Sequence, residues 1–394
     1  MKRRKNNGYK TLFAFALTIC AGAAAFLYGT YAYVFRVFKA QRKDDGYFKK
    51  RSNLSDEEKT LYSWMAELSE HEHDNVEITS YDGTKLCGKY YHVSDNAPLE
   101  IIKGAALAAR EYSVDITLTG NEKTIREIIA REGLEFAGDL KIIDTDDVIS
   151  MHDEPTSLVK AHKESSMAKA FYELAEGRAD AFVSAGSTGA VVVGGTLIVK
   201  RIKGIKRPAL AGLIPAPGGT YMLMDMGANA DCRPEMLCQF GVMASVYMEN
   251  VDGRKNPKIG LLNIGTEDTK GGELQKAAYW LMKEAPINFV GNIESREMPK
   301  GVCDAVITDG FTGNIALKLI EGTVSTLFGL IKQVFYKSLK NKLAALTVKG
   351  DLGSLKSMMD SSEVGGAPLM GVRGTVIKAH GNSDAKAIKN AIGQ

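Results

Sequence analysis

The residues of this 394-residue chain best suited to chemistry are the small and hydroxyl-bearing ones of Ala179 to Ala190, ADAFVSAGSTGA, where an apolar strand gives way to a helix. With no side chain beyond a hydroxyl, Gly186, Ser187, Thr188 and Gly189 let backbone N–H groups close on an anion at the positive end of the helix dipole. A phosphate group suits such a loop. The construction recurs as YMLMDMGAN before ADCRPEMLCQFGVMASVYME, IGLLNIG before TEDTKGGELQKAAYWLMK, and CDAVITDG before FTGNIALKLIEG. Four strand-loop-helix units in succession predict an α/β fold with a mainly parallel sheet. Right-handed crossovers in such a sheet place all four loops at the strand C-terminal edge, in one shared cleft.

Other chemistries fit less well. SAGSTGA lacks the G-x-G-x-x-G spacing and the acidic ribose partner of a dinucleotide site. Cys20, Cys87, Cys232, Cys238 and Cys303 show no C-x-x-C spacing, and His71 and His73 cannot share a helix face, so neither a disulfide framework nor a metal site is expected. The formal charge is +3, but residues 1–51 hold twelve Lys/Arg against two Asp/Glu, which leaves the body mildly acidic and argues against nucleic-acid binding.

Eight motifs occur in order: KESSM (Lys163 to Met167), SAGSTGA, DMGANADCRPE, LLNIGTEDTKGGEL, GNIESRE, DGFTGN, GGAPLMGVRG and AHGNSDA. From about Pro98 to Gln394 the chain resembles the phosphate acyltransferases of bacterial phospholipid synthesis, which convert acyl-[acyl-carrier-protein] and inorganic phosphate into acyl phosphate. The resemblance implies a Rossmann-like α/β/α sandwich of the isocitrate-dehydrogenase and phosphotransacetylase type, a homodimer, and no cofactor. Acyl carrier protein, phosphate, the membrane lipid surface and a downstream glycerol-3-phosphate acyltransferase are the implied partners.

Such a transfer needs a bound phosphate dianion, a thioester held against it and stabilisation of the oxyanion formed on attack. Phosphate itself is the nucleophile. The candidates for holding it are the amides around Gly186 to Gly189, Gly265, and the Thr312-Gly313-Asn314 turn, with Lys163 or Lys270 as point charges and Lys318 and Arg296 behind them. Ser165 and Ser166 either contact substrate or cap the helix beginning near Met167, and Lys163 is alternatively a solvated surface lysine. Asn229 and Asp231 flank a turn closed by Pro234, where Asp231 is a catalytic group or a helix N-terminal charge. Asp309 acts on substrate or only shapes a turn. His380 precedes a helix that Ser383 can cap and is the acid/base candidate.

Lys200, Arg201, Lys203, Lys206 and Arg207 form a basic cluster that is either a solvated face or a docking surface for acyl carrier protein, which is acidic as a class. Over 323–359, Val324, Leu327, Phe328, Ile331, Val334 and Phe335 recur at helical spacing, with lysines at 332, 337, 340 and 342 on the remaining surface. Core or dimer packing is the default for this stripe. The resemblance implies a protruding helical hairpin there, with peripheral lipid contact.

The N-terminal residues 1–97 differ. Thr11 to Phe35 is an uncharged apolar run long enough for a bilayer core and longer than a signal-peptide h-region, so residues 1–51 read as a basic-flanked transmembrane anchor. Five Lys/Arg precede the run and seven follow it up to Arg51, a bias that puts the C-terminal body in the cytoplasm. Residues 52–97 read as a polar helix (Leu54 to Ser69, Ser55 capping) and a hairpin about Asp82-Gly83, with strands through Val76 and Ile78 and through Leu86 and Tyr90. This leader resembles the opening of membrane-anchored α/β-hydrolases, but no G-x-S-x-G elbow follows. Where the acyltransferases open with a strand and a D-A-M-G-G-D-H-A-P segment, this chain has HVSDNAP, so the first β unit is expected to be missing or replaced. The alternatives to an active acyltransferase are therefore an inactive membrane scaffold or fusion product, and a phosphotransacetylase acting on acyl-coenzyme A.

Overall fold

The computed structural model describes residues 74–79, 85–90, 97–358 and 365–394, and the chain divides into two units, Met1–Val93 and Ser94–Gln394. The expected anchor and the polar helix after it lie outside the described residues. In the first unit, β1 (Asp74–Thr79) pairs antiparallel with β2 (Lys85–Tyr90), with Thr79 opposite Lys85.

The second unit opens with α1 (Ala97–Tyr112), β3 (Ile116–Gly120), α2 (Glu122–Glu132), β4 (Leu140–Asp144), a 3-10 turn (Pro155–Val159), α3 (Ser166–Ala175), β5 (Ala181–Ser184) and α4 (Thr188–Lys200), which is π-wound from Gly195. Next come β6 (Ala209–Ala216), β7 (Gly219–Met224), α5 (Pro234–Asn250), β8 (Lys258–Asn263), α6 (Glu273–Glu284), β9 (Asn288–Glu294) and β10 (Ala305–Ile307). The chain closes with α7 (Gly310–Tyr336), α8 (Leu339–Met358), β11 (Gly366–Met370), β12 (Thr375–Ala379) and α9 (Ala385–Gly393).

Eight strands form a mixed sheet in the order β5-β12-β11-β6-β7-β10-β8-β9. Strands β7, β10, β8 and β9 run parallel, the chain crossing through α5 from β7 to β8 and through α6 from β8 to β9, whereas β6–β7 and β11–β12 are antiparallel hairpins. Strand β11 also runs against β6, and β12 runs with β5. These three reversals between β7 and β5 leave β5 pointing opposite to β7, β8 and β10. The expectation of four loops at one sheet edge is thereby corrected: the loop after β5 leaves at the edge opposite to the other three. The sheet is mixed, with four parallel ladders and three antiparallel ones.

Side chains alternate across the sheet as strand geometry requires. Met222 and Met224 of β7 join Ile259, Leu261 and Ile307 beneath Phe240 and Leu237 of α5 and Met282 of α6. Tyr221 and Leu223 face the other way, with Leu262 and Val306, against Leu317 and Ile320 of α7. A second core stacks Phe171 of α3 on Phe182 of β5, ring centroids 3.8 Å apart, with Val191 of α4 and Val376 of β12.

Strands β3 and β4 form a separate two-stranded parallel sheet. Helix α3 packs on β3, β4 and β5, and Ile392 of α9 touches both the α1–β3 core and the β5–β12 core. Among the described residues, ladders nonetheless join β3 only to β4 and β5 only to β12. The layer of strands is interrupted between β3 and β5 while the helices on both faces continue across.

Helix α7 begins at Gly310, where Asp309 caps it, so the helix expected in FTGNIALKLIEG runs without a break into the apolar stripe expected from residue 323. By length and composition alone it is apolar enough to cross a bilayer, yet its first turn is built into the sheet edge. The predicted stripe splits in two. Val324, Phe328, Ile331 and Phe335 are half-buried, whereas Leu327, Leu330 and Val334 are exposed in line with Phe311, Ile315 and Leu319.

Candidate functional site

At the C-terminal edge of β7 and β10 the chain wraps around Asp225, whose side chain is fully buried. Its Oδ1 accepts N–H bonds from Leu210 (3.0 Å), Gly227 (3.2 Å) and Ala228 (3.0 Å), and its Oδ2 accepts from the Asn229 backbone (2.8 Å) and Asn229 Nδ2 (2.9 Å). Burial pushes this carboxyl above the usual carboxylate range, while the N–H donors pull it back. Asn229 Nδ2 also donates to Pro208 O at 2.7 Å, so both its hydrogens are engaged in holding the turn. Asn229 is thus a structural member of the loop, and Asp231 beside it is exposed.

The neighbouring loop locks onto this turn. Gly310 N donates to Asn229 O at 2.7 Å, and a Cβ at Gly310 would fall 2.8 Å from Asp225 Oδ2. A Cβ at Gly313 would overlap the Asp225 carbonyl oxygen. Asp309 accepts from Thr312 N and Thr312 Oγ1, both at 2.8 Å, and Gly313 N donates to Asp309 O at 2.9 Å. The Thr312 and Gly313 amides, expected to meet phosphate, are therefore spent on the cap, and Asn314 packs over Gly227.

Farther along the same edge, Asn263 Nδ2 donates to Lys270 O (3.1 Å) and the stem of Lys270 lies across Gly265, leaving the residue itself exposed. Lys318 is exposed, and Arg296 is held by Glu294 at 2.6 Å. Cys232, half-buried near Asp225, has its thiol pushed up to about 12, first by burial and then by that carboxyl.

The opposite edge collects the other motifs. Gly186 N donates to Ser184 Oγ at 3.1 Å, and Ser187 Oγ caps α4 through Ala190 N. A Cβ would fall 2.6 Å from Met167 Cε at Gly186 and 2.5 Å from Pro155 Cγ at Gly189, so KESSM and the 3-10 turn close on SAGSTGA. The first amides of α4, at Thr188 and Gly189, have no carbonyl behind them within the helix. Ser165 is fully buried; its hydroxyl caps α3 and donates to His162 O at 2.6 Å, while Ser166 N donates to Asp147 O. The capping alternative thus describes Ser165. Lys163 is exposed on the approach to this helix.

His380 is exposed on the loop after β12, and its Nδ1 accepts from Asn382 N at 3.2 Å. Asp384, not Ser383, caps α9, through Ala387 N at 2.8 Å. Between these loops lies a residue the sequence reading passed over, Lys378 of β12, 9% exposed with its Nζ 3.5 Å from Ala185 O. The signal for it was a lysine inside the apolar alternation TVIKA. Of the basic cluster, Arg201 is tied to the carbonyls of Ile205 and Lys206, and Lys206 to Glu235 at 2.7 Å; Lys200, Lys203 and Arg207 are exposed.

The structure therefore gathers Lys163, Ser165, Ser166, Gly186, Ser187, Thr188, Gly189 and His380 at one sheet edge. Asn229, Asp231, Gly265, Lys270, Asp309, Thr312, Gly313 and Asn314 stand at the other.

A family profile described as fatty acid synthesis protein matches residues 93–394. The phosphate acyltransferase of Geobacillus thermodenitrificans is 50% identical over 302 residues, covering 76% of this chain and 90% of that protein. The phosphate acyltransferase of Clostridioides difficile is 46% identical over 304 residues, covering 76% and 88%. A solved phosphotransacetylase from Streptococcus pyogenes superimposes with a TM-score of 0.50 at 17% identity, over 75% of this chain and 89% of its own, a likeness of fold.

Proposed function

This chain belongs to the phosphate acyltransferase family, and from that premise we propose that it transfers a fatty acyl group from acyl carrier protein to inorganic phosphate, giving acyl phosphate for phospholipid synthesis. The observation that carries the reading is the closure of KESSM and the 3-10 turn on Gly186 and Gly189, beside helix-start amides free to receive an anion. There a phosphate oxygen attacks the thioester carbonyl, the carbon–sulfur bond breaks, and the carrier leaves as thiolate. Lys163 and the amides of Thr188 and Gly189 hold the phosphate, and His380 is placed to manage the proton. Lys270 and Gly265 at the opposite edge form the competing phosphate site, with Asp231 as its catalytic candidate. Comparing the phosphate KM of Lys163→Ala with that of Lys270→Ala decides between the two edges.

The exposed Lys200, Lys203 and Arg207 are the docking surface for acyl carrier protein. The outer line of α7, from Phe311 to Val334, is the surface for a second copy, with lysines of the hairpin turned to anionic lipid. Thr11 to Phe35 anchors the body at the membrane, where a glycerol-3-phosphate acyltransferase consumes the product. Deleting residues 1–51 should move the protein from the membrane to the soluble fraction.

The decisive experiment is phosphate-dependent thiol release from palmitoyl-acyl carrier protein by the full-length chain, beside a version carrying the family's opening strand and glycine loop. Release by both supports the enzyme as written. Release only by the restored version makes this chain an inactive scaffold, and release from palmitoyl-coenzyme A alone changes the donor.

A further inference from the structure

Lys378 occupies a position where β-strand alternation calls for an apolar residue. It stands directly opposite Ser184 on the neighbouring β5, on the face that carries Phe182 and Val376 beneath α3 and α4. Nine-tenths of it is buried, and its ammonium donates to Ala185 O, at the start of the loop that follows β5, and to the carbonyl of Ala379, the last residue of β12. Among the described residues no carboxylate pairs with it. A buried cation held only by carbonyl dipoles is costly, and burial alone pulls its amine down to about 8. Ala185, whose carbonyl the ammonium meets, immediately precedes the Gly186–Gly189 loop, whose helix-start amides already favour a negative charge.

We propose that Lys378 is the charged partner of the anion bound at this loop, contributing the positive charge that the exposed Lys163 supplies only loosely. The inference rests on the acyl-transfer reading and names the residue that gives its phosphate site affinity. A phosphate dianion would neutralise a charge that the fold otherwise carries unpaired, and amides plus one lysine from an adjacent strand form a complete cradle.

The test is Lys378→Met, which keeps the length of the side chain and removes its charge, with Lys378→Gln as the second variant should methionine not fold. Loss of one charge-assisted bond should raise the phosphate KM about 10- to 100-fold. The KM for palmitoyl-acyl carrier protein should move less than about two-fold, since the thioester does not depend on this charge. In the absence of substrate the methionine variant should melt at or above the parent, because a buried unpaired charge has been removed. Inorganic phosphate should raise the melting temperature of the parent and not of the variant. A variant that keeps the parent's phosphate KM and its phosphate-induced melting shift overturns the proposal. If the parent releases no thiol with phosphate, the acyl-transfer reading falls instead, and the melting shift alone then decides for or against Lys378.

Discussion

Asp225 organises the turn that follows β7 and the helix start that locks onto it, without touching any group outside the fold. Among the described residues it has no partner cation; its two oxygens are filled by four backbone amides and one side-chain amide. Replacement by Asn puts an NH2 against N–H donors and orphans at least two of them, at about 1–3 kcal/mol each. Asp225→Asn should therefore lower the urea midpoint by the equivalent of about 3 kcal/mol with an unchanged m value, and lower turnover as the turn slackens. The acid was visible in the sequence as the residue that ends the apolar run YMLM, yet Asn229 and Asp231 drew the attention because polar groups in a glycine loop look chemical. Nothing local distinguishes a carboxylate that binds its own backbone from one that faces a ligand. Lys378 was missed for the converse reason: its burial depends on α3 and α4, which are remote in sequence.

Glycine acquires its meaning from the element around it, and α7 shows both extremes. Gly313→Ala would drive a methyl group into the Asp225 carbonyl, whereas Gly322, nine residues farther along the same helix, has nothing within 4 Å of an added Cβ. The first substitution should abolish activity and destabilise the fold by more than about 2 kcal/mol. The second should stabilise the chain by about 0.5–1 kcal/mol, the usual gain of Ala over Gly in a helix. Paired thermal melts distinguish them. At the start of α3, His162 Nδ1 lies 2.7 Å from Asp147 Oδ1, a hydrogen bond that raises the histidine above its ordinary 6.5, with the carboxylates of Asp147 and Asp153 adding to it. The folded state thus favours the protonated ring, so the pair contributes stability below pH 6.5 and loses it as pH rises through the folded-state value. An NMR titration should find the His162 midpoint above 6.5, and Asp147→Asn should lower it, with Asp153 still in place. The four strand-loop-helix units were readable, since each joins an apolar run to a Gly, Asn or Asp turn and then a helical period. The role of Thr312 was less so: it looked like a ligand and is the partner of the Asp309 cap.

For the molecule entire, strand direction is what the sequence could not express. Residues such as Ala209–Ala216 and Gly366–Met370 identify themselves as strands by composition at best, and their antiparallel pairing is decided by partners far along the chain. That pairing divides the candidate residues between two edges about one strand length apart, or about 20 Å for six residues. The exposed lysines after α4 belong to the same global view, since long-range attraction acts on encounter. Charge reversal at Lys203 and Arg207 should raise the KM for the carrier-bound donor several-fold, more steeply at low salt, and leave a coenzyme A thioester unaffected. Arg201 is a poorer choice, because its guanidinium holds its own loop. The gap between β3 and β5 has a kinetic counterpart. Among the described residues the second sides of β3 and β5 have no ladder to protect their backbone amides, so deuterium should enter there at rates normally seen at the periphery of a fold, while β7, β10 and β8, flanked by strands on both sides, stay dark for far longer.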